Sequence, residues 1–309
     1  MKTLELFPVS ARINDDGQLW LGGCSICSLV EEFGTPLYVF DRATLHERCR
    51  AYRRALKAHY PDAGVVAYAS KAYLNLALGQ LFAREGLSLD VVSGGELYVA
   101  LQAGFPPERV HFHGNNKSPD ELALALKNGV GRIVVDNFHE LETLERLAAE
   151  LKIRVPIWLR LSPGIDAHTH DFRNTGLLDS KFGFPVTAGR SDTDSKSSAE
   201  LALSSALRSP HLKLVGLHAH IGSQVHDLEP YVRTVDVLFN FGAEMRKKYD
   251  FELKEFSPGG GWSVPHHEED AAAPIEEYVR IVSAAVVQAC GRHGLALPEL
   301  VIEPGRSIV

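Results

Sequence analysis

Eight times along this chain, an apolar run rich in β-branched residues ends in polar or glycine-rich positions and gives way to a stretch with apolar residues at helical spacing. The runs occupy residues 65–70, 87–93, 110–114, 132–137, 155–161, 214–220, 253–257 and 300–303. Their near-continuous apolarity, bounded by turn formers, predicts parallel strands covered on both faces. The intervening spacing predicts helices over 42–59, 72–85, 96–103, 119–128, 138–151, 198–208, 228–248 and 275–293, often after a Ser, Asp or Asn suited to capping. Eight strand–helix alternations predict a (β/α)8 barrel, whose reactive groups gather at the carboxyl ends of its strands.

The 309 residues, 45% hydrophobic and 23% charged, suffice for one barrel with a remainder. Residues 1–40 precede the barrel and hold two short alternating pieces, 18–21 and 37–40, that read as strands of a separate β-module too small to bury a core alone. The barrel is therefore expected over 41–309. Val309 follows closely on Glu303-Pro304-Gly305-Arg306 with no closing helix, so the polypeptide is expected to be a fragment whose C-terminal β-domain is missing.

A formal net charge of −7 argues against a nucleic-acid or anionic-membrane partner. There is no apolar run long enough to span a bilayer, and residues 1–10 lack the layout of a secretory signal, so a cytoplasmic location is expected. Cys24 and Cys27 form a lone C-x-x-C with no second pair, read as small residues in a reducing compartment rather than a zinc or redox site; Cys49 and Cys290 fall in predicted helices. Residues 186–198 are polar and read as a surface loop, placed where a lid over the barrel mouth would also sit.

Chemistry-bearing residues collect at the predicted strand ends. Val65-Val66-Ala67-Tyr68-Ala69-Ser70-Lys71 runs a buried-strand pattern into one lysine. A water-shielded amine there suits a Schiff base to pyridoxal 5'-phosphate, although a lysine at a strand end is commonly a solvated charge. Ser257-Pro258-Gly259-Gly260-Gly261 follows the seventh run, and Glu303 with Gly305 and Arg306 follows the eighth. Successive glycines make either a turn or a cradle for an anion, and barrels commonly hold phosphate between their seventh and eighth strands. His218 and His220 fall on one face of the sixth strand, with Ser223 placed to bond a phosphate oxygen. Ring stacking by one histidine ranks above zinc, because no third ligand of fitting spacing accompanies the pair, and no metal is expected. Asp90 and Glu96 flank the second strand's exit and Arg160 ends the fifth, so the mouth carries mixed charge.

Taken together these motifs resemble the fold-type III pyridoxal-phosphate decarboxylases. The resemblance spans nearly the whole chain: Tyr68-Ala69-Ser70-Lys71-Ala72, residues 90–98, Phe112-His113-Gly114-Asn115-Asn116-Lys117-Ser118, Pro163-Gly164, Ala167-His168-Thr169-His170, Ser180-Lys181-Phe182-Gly183, residues 218–224, the glycine run and residues 303–306. The Gly-Asn-Asn-Lys-Ser and Ala-His-Thr-His pieces favour the diaminopimelate branch over the ornithine and arginine branches.

The resemblance implies that Lys71 links covalently to the cofactor, Glu303 pairs with its pyridine nitrogen and His220 stacks on its ring. It further implies that Ser223, Gly259, Gly260, Gly261 and the backbone of Gly305 and Arg306 grip the phosphate, with Asp90 and Arg160 supporting them. The Arg306 side chain would hold a substrate carboxylate. The implied reaction is decarboxylation of meso-diaminopimelate to L-lysine by a homodimer, with a shared site completed by a C-terminal β-domain; this chain alone is expected to turn over poorly. Another basic amino-acid decarboxylase, a non-catalytic cofactor carrier and a racemase remain as alternatives. Trp262 and the residues after it depart from the family pattern.

Overall fold

The computed structural model of the chain describes residues 4, 6–166, 181–187, 196–267, 270 and 272–309. A small antiparallel sheet comes first, built from β1 (Arg12–Ile13), β2 (Leu19–Leu21) and β3 (Cys24–Ser25), and it leads into helix α1 (Ile26–Phe33). The barrel alternation then begins. Helix α2 (Arg42–His59) precedes β4 (Gly64–Ala69), α3 (Leu76–Arg84), β5 (Ser88–Val91), α4 (Gly94–Gln102), β6 (Val110–Phe112), α5 (Pro119–Lys127), β7 (Arg132–Val135), α6 (Phe138–Leu151) and β8 (Val155–Ser162). A two-residue strand β9 (Phe184–Pro185) adds to the end of β8. The chain continues through α7 (Ser198–Arg208), β10 (Leu212–His218), α8 (Glu229–Tyr249), β11 (Glu255–Ser257), α9 (Ile275–His293) and β12 (Glu299–Ile302).

Eight of these strands close a parallel cylinder. The order runs β4-β5-β6-β7-β8-β10-β11-β12, and β12 returns to β4 with Leu300 opposite Gly64. The predicted (β/α)8 barrel is thus present. Its apolar residues divide into two layers. Phe82, Phe112, Phe239, Phe256 and the leucines around them fill the space between strands and helices, where each fully buried leucine contributes about 1.5–3 kcal/mol. Ala67, Val134, Trp158, Val215 and Val301 fill the cylinder itself, so the barrel is plugged beneath its mouth.

Helix starts follow the capping chemistry. The side chains of Asp41, Asn137 and Ser197 accept from the third backbone N–H of α2, α6 and α7, which begin where the sequence predicts. The third helix departs from expectation. Residues 70–72 form a tight 3-10 turn instead, and α3 begins at Leu76 because Asn75 caps it.

The N-terminal reading needs correction at 37–40. These residues form no strand, since no neighbour among the described residues offers a ladder, and Tyr38 is left 89% exposed. Leu19–Leu21 is a strand as expected, whereas β3 and α1 were not anticipated. Cys24 and Cys27 are exposed free thiols. Cys49 and Cys290 are buried in α2 and α9, and burial pushes the Cys49 thiol up to about 12. Among the described residues no helix is long and apolar enough to cross a membrane. Of the polar stretch 186–198, residues 188–195 lie outside the described ones.

Candidate active site

The carboxyl ends of the strands open into two adjoining cavities that share Lys71, Asp90, His220 and Glu303. The first, of about 280 Å3, is walled by Ser223, Gly260, Gly261, Gly305 and Arg306. The second, of about 490 Å3, extends towards His113, Asn115, Asn116, Arg160 and Phe182. Lys71 and Arg306, 235 positions apart in the chain, therefore face one mouth, as barrel topology dictates.

Lys71 stands in the 3-10 turn immediately after β4, and it is exposed rather than shielded from water as the sequence suggested. The turn is pinned from below. Ser70 Oγ donates to Glu96 Oε2 at 2.6 Å, and the same oxygen accepts from Val92 N at 2.7 Å. Glu96 thus does more than close the first turn of α4, whose cap is Ser93: it ties the lysine's turn to the exit of β5.

Three successive strand ends build the charged floor. Glu303, just beyond β12, accepts from Ser257 Oγ of β11 at 2.7 Å through Oε1, and from His218 Nε2 of β10 at 3.2 Å through Oε2. Burial works against an ionised Glu303, but His218, His113 and Ser257 outweigh it and hold the carboxyl well below the usual range. Burial also lowers the pKa of His218, and a neutral imidazole still donates its Nε2–H to the carboxylate. Asp90 faces the other way electrostatically. Burial first, then the Glu303 charge, push its carboxyl well above the usual range, so of two neighbouring acids the structure keeps Glu303 charged.

His113 stands between these acids. Its Nε2 lies 3.7 Å from Asp90 Oδ1 and 3.7 Å from Glu303 Oε1, and its ring meets that of His218 edge-on. In the sequence His113 carries no role of its own within the Phe112-His113-Gly114 piece. His113, His218 and Glu303 place their ligand atoms within 4.8 Å of one another, a set able to hold a metal ion. His220 is not part of this set, so the pair His218 and His220 singled out in the sequence does not share it, and Ser257 and His218 already occupy both oxygens of Glu303.

The glycine run is a turn whose backbone is left bare of side chains. Gly259 and Gly261 have φ of +81° and +94°, open only to glycine without strain. Space forbids side chains too: a methyl on Gly260 would strike the Glu303 carbonyl, and one on Gly261 the Gly222 carbonyl. His220 lies against this run, with Gly260 N 3.4 Å from its Nδ1. Across the cleft, Arg306 Nη2 donates to Ser223 Oγ at 3.4 Å, bringing two of the expected phosphate-side residues together.

Arg160 lines the second cavity and not the glycine-walled one. It is buried, its Nη1 is 3.4 Å from Asp136 Oδ1, and its guanidinium lies over the Phe182 ring. Behind it, Asp136 accepts from Gly183 N, and Glu140 accepts from Asp136 N and pairs with buried Lys117 at 2.9 Å. Lys117 comes from the Gly-Asn-Asn-Lys-Ser piece, so that motif buttresses the Arg160 side of the mouth. The Ala167-His168-Thr169-His170 piece and Ser180 lie outside the described residues.

Residues 42–309 match the family described as pyridoxal-dependent decarboxylase, pyridoxal binding domain. Diaminopimelate decarboxylase of Bacillus methanolicus is 43% identical over 98% of this chain and 68% of its own length. The chain belongs to the diaminopimelate decarboxylase family. The same-named protein of Bacillus subtilis (strain 168) is 45% identical over 97% of this chain and 66% of its own length. The chain thus spans about two thirds of the length of the curated relatives it matches. Crystal structures of diaminopimelate decarboxylase from M. jannaschii superpose with TM-scores of 0.87 and, in complex with L-lysine, 0.85, at 30% identity, covering 97% of this chain and 67% of theirs.

A pyridoxal phosphate fits the residues present. The first cavity offers an amine at Lys71, a backbone cradle free of side chains at Gly259–261 and a buried anionic carboxylate at Glu303, and it is rimmed by Ser223 and Arg306.

Proposed function

We propose that this chain binds pyridoxal 5'-phosphate in the glycine-walled cavity and serves the decarboxylation of meso-diaminopimelate to L-lysine. The observation that carries this reading is the convergence of Lys71, His220, Glu303 and the Gly259–261 cradle on one cleft. Lys71 Nζ would hold the cofactor covalently. Glu303 would face the ring nitrogen, His220 the ring, and Ser223, Gly259, Gly260, Gly261, Gly305 and the Arg306 backbone the phosphate. When bound, the cofactor supplies an electron sink for the pair left behind as carbon dioxide departs.

The protein's share is orientation and charge. Ser257 and His218 fix both oxygens of Glu303, so the carboxylate stays ionised where a ring proton needs stabilising. Arg306, exposed at the rim, presents a planar guanidinium suited to a substrate carboxylate. Asp90 lines both cavities and Arg160 the second, so the two would shape the charge around the cofactor from its inner side. Residues 1–40 are taken as a β-module separate from the barrel, and the working enzyme is proposed to be a cytoplasmic homodimer.

Titration with pyridoxal phosphate tests cofactor binding through its visible absorbance, which Lys71→Ala should abolish. Product analysis with meso-diaminopimelate, ornithine and arginine then tests the substrate. Lysine from the first alone supports the assignment, and turnover of either other substrate in preference to it would overturn it.

A further inference from the structure

Two segments that wall the cofactor cleft are tied together by a residue that does not line it. Tyr52 lies on α2, outside the barrel, and is wholly buried. Its hydroxyl accepts from Trp262 Nε1 at 2.8 Å and shares a 2.7 Å hydrogen bond with Ser307 Oγ. One phenol oxygen can accept from the indole and donate to the serine at once. Trp262 directly follows the glycine run and Ser307 directly follows Gly305-Arg306, and both face the first cavity.

The contacts around Trp262 extend the tie to the third wall. Its ring stacks on Tyr278 at 3.7 Å, and its backbone bridges to Val225, two residues beyond Ser223. Tyr278 in turn meets Tyr231, whose hydroxyl donates to the Gly260 carbonyl at 3.0 Å. The Ser223 loop, the glycine run and the 305–307 turn are thereby held against one buried aromatic cluster. The Tyr52 oxygen is the atom that joins Trp262 to Ser307.

We propose that Tyr52 is a positioning residue for the phosphate end of the cofactor: it sets the spacing between the glycine run and the 305–307 turn through Trp262 and Ser307. The inference rests on the cofactor reading given above and deepens it. A backbone cradle binds an anion well only when its N–H groups keep their mutual geometry, and the two halves here come from different strand ends with no covalent link nearby.

The test is a pair of titrations on wild type and Tyr52→Phe, which keeps the ring and removes only the oxygen. Pyridoxal phosphate and pyridoxal, which lacks the phosphate, are each added while the visible band is recorded. Tyr52→Phe should raise the Kd for pyridoxal phosphate about three- to tenfold and leave that for pyridoxal unchanged within about twofold, as the loss of one or two neutral hydrogen bonds implies. Ser307→Ala, which keeps Tyr52 and its packing, should weaken pyridoxal phosphate in the same selective way. Unchanged phosphate-ligand affinity in Tyr52→Phe, or equal weakening of both ligands in Ser307→Ala, would overturn the proposal, since a merely structural role moves both ligands together. A wild-type chain with no visible band would instead overturn the cofactor reading, and this inference with it.

Discussion

His218 Nε2 lies 3.2 Å from Glu303 Oε2, so the end of β10 is hydrogen-bonded to the end of β12 across the floor of the cleft. Ser257, at the end of β11 between them, takes the other oxygen. Glu303→Gln keeps the shape of this floor and removes its charge. The expected result is a fall in kcat of about 100-fold or more with the visible cofactor band retained, because the electrostatic contribution is largest where charge develops. Ser257→Ala removes one neutral donor and should cost about tenfold or less. Steady-state kinetics on both variants check the ranking.

Gly260 has no room for a side chain against the Glu303 carbonyl. Gly260→Ala should therefore push the cradle away from β12, raising the Kd for pyridoxal phosphate more than about tenfold and lowering stability by about 1–3 kcal/mol. Absorbance titration and urea denaturation read the two effects separately.

Lys117 and Glu140 form a buried ion pair at 2.9 Å behind Arg160. Removing one partner strands the other in a dry environment, so Lys117→Met should cost about 3–5 kcal/mol in urea denaturation. Lys117→Met combined with Glu140→Leu should recover much of that loss, since neither charge is then left unpaired. A double variant no more stable than the single one would contradict this account of the Arg160 wall.

The lower end of the barrel carries a pH-dependent contact. Glu255 accepts from Arg132 Nε at 2.6 Å and from Trp158 Nε1 at 2.6 Å, tying β7, β8 and β11. Burial raises its pKa, but the Arg132 hydrogen bond and charge outweigh this and leave it below its ordinary value of 4.5. A depressed folded-state pKa means the unfolded chain binds the proton first on acidification. The contribution is therefore complete above pH 4.5 and is lost as pH falls through the lower folded-state value. Wild type should lose its advantage over Glu255→Gln progressively below that pH, measured by urea denaturation across pH 3–6.

The barrel was legible because its signals are local. The caps at Asp41, Asn137 and Ser197 mark helix starts by chemistry confined to one turn, and the β-branched runs mark strands that are buried on both faces. The segment 37–40 misled for the same reason: alternation predicts a strand, but a strand exists only with a partner, which no local pattern supplies. Helix α1 carries no side-chain cap to announce it. At the site, Lys71, the glycines and Glu303 stand at strand ends in recognisable pieces. Ser257, His113 and Tyr52 act through partners as distant as Ser307, and only the closed barrel brings them together. The exposure of Lys71, which stands in the 3-10 turn just past β4, was likewise invisible in the local pattern.

The central claim is that the amine of Lys71 is the covalent anchor for pyridoxal phosphate. Borohydride reduction of the cofactor-loaded chain, followed by peptide mapping, tests it most directly. The account predicts a single reduced pyridoxyl group on the peptide containing Tyr68-Ala69-Ser70-Lys71-Ala72. A label on any other lysine, or no label at all, would contradict it.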